Sequence, residues 1–470
     1  MAKVVEINTA GRATDDAAFA LAKCYAGLKY DDIPPEIVDV AKNSILDTLG
    51  VIVGGSGVTP GIKELVGLIT EAGGKEESGI LGFGNRVPAW EAAFCNGAMA
   101  HCLDYDDMSD RCEAHPSTSV VPAVMALAER KGNVAGKDLI SAVVLGDDLV
   151  CRLGLSTPND HTWHRTPLFG YLAAAMSCSK LLGFDEKQYV GALGTAFTQT
   201  ATTMEVGFSM GSDLRGMYAG FSARGGVMAA LMSSIGIAGP AQSLEGKAGF
   251  FNVYFGGNYD RKTLLDGLGK KFETYDIAFK VWPACRGTHA YIEAALLLQN
   301  EHNLRPENIA EVLAHVKDFG ESLFTPLEGR RRPTSVLDAK FSIPFSLAVA
   351  LTKNRVAIQD LTPEGLKDTA VLAMAQKINY QRDPKIVAMK GFPGQVDIKT
   401  KQGETFSKLI EFPRGNPENP TAKEDIEAKF KDCVSFSAKA VPRDNVEQVI
   451  EMINHLEEVT DSAEIMRLLC

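Results

Sequence analysis

Apolar residues recur at helical spacing from Asp15 to about Phe250. Asp15–Tyr30 carries the first such run and ends before Ile33-Pro34-Pro35. Pro35-Glu36 opens a second helix through about Val53, with proline in the first turn, where its missing N–H costs little. The cluster Gly54-Gly55-Ser56-Gly57 is read as the stop of that helix. It follows a helical pattern rather than a strand and matches neither GxGxxG nor GK[ST], so it does not read as a phosphate loop. Further helices are expected over Gly61–Ala72, Trp90–His101, Ser117–Lys131, Lys137–Leu153, Pro167–Leu182, Glu186–Met204, Ala219–Ser234 and Ala241–Phe250. Small residues such as those of Gly170–Ser177 permit close approach between neighbouring helices. Leu155–His164 and Glu205–Arg215 interrupt the pattern as polar or glycine-rich loops.

The pattern changes after Phe279. Ile309–Phe319 alternates apolar and polar in part, as a half-buried strand does, and Gln395–Phe412 reads as a hairpin turning at Gln402-Gly403. Met374–Val387 holds another strand, while Ser335–Leu351 and Asp360–Leu372 read as helices. Pro413-Arg414-Gly415-Asn416-Pro417-Glu418-Asn419-Pro420 is a breaker-rich connection to three short helices, Lys423–Cys433, Asn445–Leu456 and Ser462–Leu469. Being helical again, these can return to the first domain, which leaves the α+β part as an insertion.

Composition narrows the class of partner. The chain has 470 residues, 45% of them hydrophobic and 23% charged, as ordinary globular proteins do. Its net charge of −11 argues against nucleic acid and against an anionic membrane surface. A small anionic substrate stays compatible, since a local group of Arg and Lys outweighs a global sign. The nine cysteines form no CxxC and lie largely in apolar runs, the pattern of a reducing compartment. MAKVVEINTAGRATDD lacks the charged-then-apolar order of a signal peptide, and no apolar run is long enough for a membrane span. The expected setting is cytoplasmic.

The candidate chemistry is concentrated in Asn96–Val120. His101, Asp104, Asp106, Asp107, Asp110, Glu113 and His115 crowd into one connection between two apolar helical runs, where so many titratable groups point to a site. Asp106 and Asp107 also fit the role of helix N-cap or of solvated loop charges. His101, Asp104 and His115 can be written as a His₂-carboxylate metal set, but their spacing matches no usual zinc signature.

The stretch Asn96-Gly97-Ala98-Met99-Ala100-His101-Cys102-Leu103-Asp104-Tyr105-Asp106-Asp107, followed by Ala114-His115-Pro116-Ser117, resembles the most distinctive motif of the MmgE/PrpD family. Further similarities are Trp163-His164 before an apolar helix, Gly216–Gly226 (GMYAGFSARGG), Phe279-Lys280-Val281-Trp282-Pro283-Ala284-Cys285, Ala339-Lys340-Phe341-Ser342 and Pro413-Arg414-Gly415-Asn416-Pro417. The resemblance implies a mainly α protein. A large all-helical domain would be built from both termini (residues 1–278 and 413–470), with a smaller inserted α+β lid (residues 279–412). It also implies a homodimer, no metal or organic cofactor, and small di- or tricarboxylate substrates. Known members include 2-methylcitrate dehydratase, cis-aconitate decarboxylase and iminodisuccinate epimerase.

By motif position, Asp104, His115 and His164 match the family's active-site aspartate and two histidines. Chemistry beside a carboxylate needs a base for a weakly acidic proton, an acid for the leaving group or carbanion, and cations for the carboxylates. The two histidines suit the first two roles, in an order the sequence leaves open, and Asp104 would orient one imidazole or act as a second acid or base. His101 would brace the loop or touch substrate. Arg215, Tyr218, Lys280, Cys285 and Arg286 are the remaining candidates for holding substrate. Arg215-Gly216-Met217-Tyr218 stands where many members carry Lys-Pro-Leu/Met-His, and Cys285 stands where the decarboxylase-like members carry histidine; both departures imply an altered substrate.

Lys280, Arg286 and His289 surround Cys285 and can bring charge onto the site or simply start a helix. Beside these cations Cys285 is also a candidate thiolate nucleophile. Arg330-Arg331-Arg332 reads as a solvated face, or as a source of one substrate-binding Arg. The leading expectation is a cofactor-independent lyase that dehydrates a 2-methylcitrate-like hydroxy acid. The alternatives are an epimerase, a cis-aconitate-like decarboxylase, and a catalytically silent binding protein.

Overall fold

The computed structural model describes residues 15–208 and 212–470. The N-terminal stretch read above for a signal sequence lies outside these residues, apart from Asp15 and Asp16, and so do residues 209–211 of the Glu205–Arg215 loop. The chain is mainly α, and the described residues include one four-stranded sheet and two short two-stranded ribbons. Among the described residues no single helix is long and apolar enough to cross a membrane.

The Pro35–Val58 helix runs through the middle of the larger hydrophobic core, and every residue from Ser44 to Ser56 is buried. Ala89–Cys102, Ser117–Lys131, Gly136–Ser156 and Lys423–Val434 pack against it, and Arg165–Leu182 and Ala219–Ser234 pack on these helices in turn. Helices apolar on all sides are stable only when surrounded in this way. Ile426 to Leu469 contribute to the same core, so both ends of the chain build it. A second core is made of residues between Trp282 and Ile410.

In that second region Ile309–Val316 pairs parallel with Ile378–Arg382 and antiparallel with Gly394–Thr400, which pairs antiparallel with Thr405–Ile410. His315 cross-links the sheet, its ring nitrogens 2.8 Å from Asp383 and 2.8 Å from Asp397. The Arg286–Glu301 and Ile343–Lys353 helices contribute their buried faces to this core.

Several sequence expectations are corrected. The Gly54–Gly57 cluster does not stop its helix, which continues to Val58. These glycines are contact points: a Cβ at Gly57 would lie 2.0 Å from the Phe436 carbonyl oxygen, and one at Gly55 would lie 2.3 Å from Cys102 Sγ. The Glu186 helix ends at Phe197, where the Thr198 and Thr200 hydroxyls donate back to Thr195 and Phe197 carbonyls and compete with helix continuation. Residues 241–249 form turns, and the helix there is Phe250–Phe255. The expected Ser335–Leu351 helix breaks at Phe341-Ser342, where the Ser342 hydroxyl accepts from Phe345 N–H at 3.0 Å and caps a new helix. The Glu205–Arg215 loop contains two one-turn helices, Glu205–Phe208 and Leu214–Met217.

Candidate active site

The Ala89–Cys102 helix ends in the crowded acidic loop, and the backbone there is forced. Asp104 has φ 51° and Glu113 φ 50°, and His161 across the cleft has φ 58°. Of the described non-glycine residues in this left-handed region, these three are the ones that are not asparagine, and all three line one cleft. Such conformations cost on the order of 1–3 kcal/mol each and persist only where the surroundings impose them.

That cleft has an empty volume of about 800 Å³. His101, Asp104, His115 and His164 line one side of it, and Cys285, Arg286, Phe319, Phe341 and Phe392 of the α+β region line the other. His115 precedes the Ser117–Lys131 helix, and its backbone N–H donates to Thr166 Oγ1 at 3.0 Å. His164 sits just before the Arg165–Leu182 helix, its N–H donating to the Thr202 carbonyl. Two helix starts thus set the two imidazoles beside the acidic loop.

Asp106 is fully buried and lies against both loop imidazoles, 3.0 Å from His101 Nδ1 and 2.6 Å from His115 Nδ1. His115 Nδ1 is also 2.8 Å from the Asp107 carbonyl. Burial opposes ionisation of Asp106, but His101, His115 and Lys280 overcome it and hold the carboxyl well below its usual range. The two imidazoles respond differently. Burial opposes the charge of His115, yet Asp106 more than offsets it and the value rises above 6.5. At His101 burial wins and the value falls. At His164 burial, together with the nearby His101, His115 and Arg215, drives it well below 6.5, and its buried Nδ1 has no hydrogen-bond partner. The site therefore holds one imidazole that favours its proton, His115, and two that disfavour it, His164 the more strongly.

Asp104 forms a buried ion pair with Lys280, whose Nζ also donates to the Asp104 carbonyl at 2.9 Å. Burial raises the Asp104 carboxyl and Lys280 lowers it further, for a net depression, while its buried Oδ2 has no hydrogen-bond partner. Arg286 makes a bidentate contact with Asp110, Nε to Oδ1 at 3.0 Å and Nη2 to Oδ2 at 3.0 Å. Arg215 is different: it makes no ion pair among the described residues, and its guanidinium lies 3.4 Å from the centroid of the Phe341 ring. The Tyr218 hydroxyl is 2.8 Å from His101 Nε2.

Asp104, His115, His164, Arg215, Tyr218, Cys285, Arg286 and His101 all line the cleft. Lys280 does not; it stands behind Asp104 as its counter-ion. His289 is fully buried, hydrogen-bonds the Ala284 carbonyl and is held well below 6.5 by burial and by Arg286, so it brings no charge to the site. The thiolate reading of Cys285 is also corrected. Its flanking cations are already paired with Asp104 and Asp110, and burial pushes the thiol up to about 11. Arg331 is not solvated: it is 8% exposed and donates twice to the Ile378 carbonyl, holding the first residue of a strand.

Asp106 is the residue that sequence reasoning undervalued. Both acids of Asp106-Asp107 are buried, and only Asp107 serves a helix start, its carboxylate accepting from Ser117 N–H at 3.3 Å. Arg165 was missed altogether. It lines the cleft, has no acidic partner among the described residues, and holds the carbonyl of Thr157 at 3.0 Å. The only early signal was its place directly after His164.

The tightest grouping of possible metal ligands among the described residues is His101, Asp106 and His115, with ligand atoms within 4.8 Å of one another. Asp106 thus replaces Asp104 in the set written from the sequence. Each Nδ1 lies within hydrogen-bond reach of Asp106, so an ion held there through these atoms would displace the protons they share with it.

The chain is similar over nearly its whole length to several known proteins. Human cis-aconitate decarboxylase is 26% identical, covering 94% of this chain and 92% of its own. The cis-aconitate decarboxylase of Aspergillus terreus is 25% identical, covering 94% of each. The cis-aconitate decarboxylase-like protein oryM of Aspergillus oryzae is 25% identical, covering 94% and 95%. A family model for the MmgE/PrpD N-terminal domain matches residues 20–262, and one for the MmgE/PrpD C-terminal domain matches residues 282–457. Between them these two matches take in the helices, the acidic loop and the far wall of the cleft: the chain belongs to the MmgE/PrpD family.

Proposed function

We propose that the protein is a cofactor-independent lyase that dehydrates a small 2-hydroxy di- or tricarboxylate of the 2-methylcitrate type, with His164 as base and His115 as acid. The observation that carries this reading is the opposite bias of the two imidazoles. Environments that push two titratable groups apart separate acid from base. His164, unprotonated and with an unpartnered buried nitrogen, is prepared to take the α-proton. His115, with its proton favoured by Asp106, is prepared to protonate the departing hydroxyl. Arg215 supplies charge for a carboxylate, and Asp104, a lining residue, keeps one buried acceptor atom without a partner.

A second reading, decarboxylation, is favoured by the names of the relatives. It needs one acid to protonate the carbanion left by carbon dioxide and gives a neutral base no task, which is why dehydration ranks first. The two cores, one drawn from both ends of the described chain and one from Trp282 to Ile410, support a helical unit with an inserted lid over residues 279–412, although Phe279 and Ile358 pack in the larger core. A homodimer is part of the same proposal, with Ile235 and Ile237, 74% and 49% exposed, as apolar surface for it.

Proton NMR in D₂O with EDTA and a panel of 2-methylcitrate, citrate, cis-aconitate and smaller hydroxy acids tests the reading. A new vinyl signal from a hydroxy acid is the expected result. Conversion of cis-aconitate alone with loss of carbon dioxide would replace it with the second reading.

A further inference from the structure

Three arginines line the cleft among the described residues, and they are not equivalent. Arg286 is bound by both oxygens of Asp110 and donates to the Pro413 and Arg414 carbonyls. Arg215 and Arg165 have no acidic partner among the described residues, although Arg165 already gives Nη2 to the Gly154 and Thr157 carbonyls. The His115 proton is balanced by Asp106. Glu113 lines the same cleft without a basic partner among the described residues, its Oε2 accepting from Asn159 at 2.7 Å. The uncompensated positive charge therefore matches two carboxylates. A third would enter beside Glu113 with no cation to meet it.

The wall contributed by the α+β region is largely aromatic. Phe319 and Phe392 meet with ring centroids 5.8 Å apart, and Phe319 is 41% exposed although both rings line the cleft. Phe341, in the same wall, carries the Arg215 guanidinium on its face. Rings left bare in a cleft favour an occupant that removes them from water.

We propose that the substrate is an alkyl-substituted 2-hydroxy dicarboxylate, with an apolar chain of several carbons lying on Phe319 and Phe392 where a tricarboxylate would carry its third carboxylate. The inference narrows the substrate class of the reading above and rests on that reading. One carboxylate takes Arg215, and the charge of the other faces Arg165. Phe319 and Phe392 set specificity in two ways. They gain by burying the chain, and they reject an ionised arm, which would lose water against the rings without gaining a partner.

Isothermal titration of the full chain with three matched probes tests this. 2-Hydroxy-2-methylsuccinate, 2-butyl-2-hydroxysuccinate and citrate share the hydroxyl-bearing carbon and two carboxylate arms, and differ in the remaining arm: methyl, butyl or carboxymethyl. The butyl probe is expected to bind on the order of 10–100-fold more tightly than the methyl probe, about fourfold for each methylene buried, and more tightly than citrate. Phe392→Ala and Phe319→Ala, with near-UV circular dichroism unchanged, should narrow the gap between butyl and methyl. Arg215→Gln should weaken both dicarboxylates alike and leave that gap in place. Citrate as the tightest probe, equal affinity of the methyl and butyl probes, no binding of either, or a gap that survives in both phenylalanine variants overturns the inference. Alkyl-dependent binding without a vinyl signal in the NMR test supports this substrate class and removes dehydration. A vinyl signal from citrate without alkyl preference supports dehydration and overturns the class.

Discussion

Asp106 Oδ2 stands 2.6 Å from His115 Nδ1 while the same carboxylate holds His101 Nδ1 at 3.0 Å. One acid therefore sets the tautomer of two imidazoles and keeps the outer nitrogen of His115 turned from the acid that fixes it. Asp106→Asn is expected to lower kcat on the order of 10²–10⁴-fold, since an amide no longer favours the His115 proton and can reverse either tautomer. Turnover within a few-fold of wild type, with near-UV circular dichroism unchanged, would remove Asp106 from the machinery.

The opposed shifts at His164 and His115 give the pH profile its form. The rate should rise as pH climbs through the low value of His164, well under 6.5, and fall as it climbs through the raised value of His115, above 6.5. His115→Gln should abolish the alkaline limb and His164→Gln the acid limb in kcat/KM. The same sign applies to stability. The folded value of His115 exceeds its unfolded one, so its contribution is complete below pH 6.5 and is lost as pH rises through the folded value.

Arg215 is a cleft cation with an aromatic support and no acidic partner among the described residues; Arg165, likewise unpaired, is occupied by the Thr157 carbonyl and hydroxyl. The Arg215 charge is therefore available to substrate. Arg215→Gln should weaken binding of a carboxylate ligand about ten- to hundredfold, the equivalent of one charge-assisted hydrogen bond. Phe341→Leu keeps the charge and should weaken it far less; isothermal titration of both variants checks the comparison.

Lys280 and Asp104 are both buried, and each is the other's compensation. Lys280→Met strands the carboxylate and should cost about 3–5 kcal/mol of stability, readable in urea unfolding. The double variant Lys280→Met/Asp104→Leu should recover part of that loss while remaining inactive.

At Gly57 a methyl group would meet backbone, not a movable side chain: the Phe436 carbonyl oxygen would be 2.0 Å away. Gly57→Ala should destabilise by about 1–3 kcal/mol despite alanine's better helix propensity. A stabilised variant in thermal melts would show that the Phe436 backbone yields at little cost and would remove close packing as the reason for glycine here.

Periodicity was enough for the long helices and for the strands at Ile309–Val316 and Gly394–Thr400, whose patterns repeat over several turns or pleats. It failed where tertiary contact decided local structure, as at Gly54–Gly57, where the same residues serve helix ends and close packing equally well. The histidines and Asp104 were legible because a motif names them. Asp106 was not: it meets His101 and His115 only after the chain turns at Asp104, and nothing in the spacing announces that turn. Cys285 and His289 show the complementary limit, since neighbours in sequence suggested charge that burial and prior ion pairing remove.

The acidic loop is held by cations that come from far along the chain. Lys280 bonds the Asp104 carbonyl, Arg286 the Asp110 carboxylate, Lys340 the Cys102 carbonyl at 2.7 Å, and Lys429 the Tyr105 carbonyl. During synthesis, the loop leaves the ribosome more than three hundred residues before the last of these ties exists. A nascent chain carrying every histidine of the site would still lack the hands that hold it. Activity is thus expected to arrive late and all at once, when Lys429 emerges and docks, and a chain cut short of that point would carry the chemistry without the geometry.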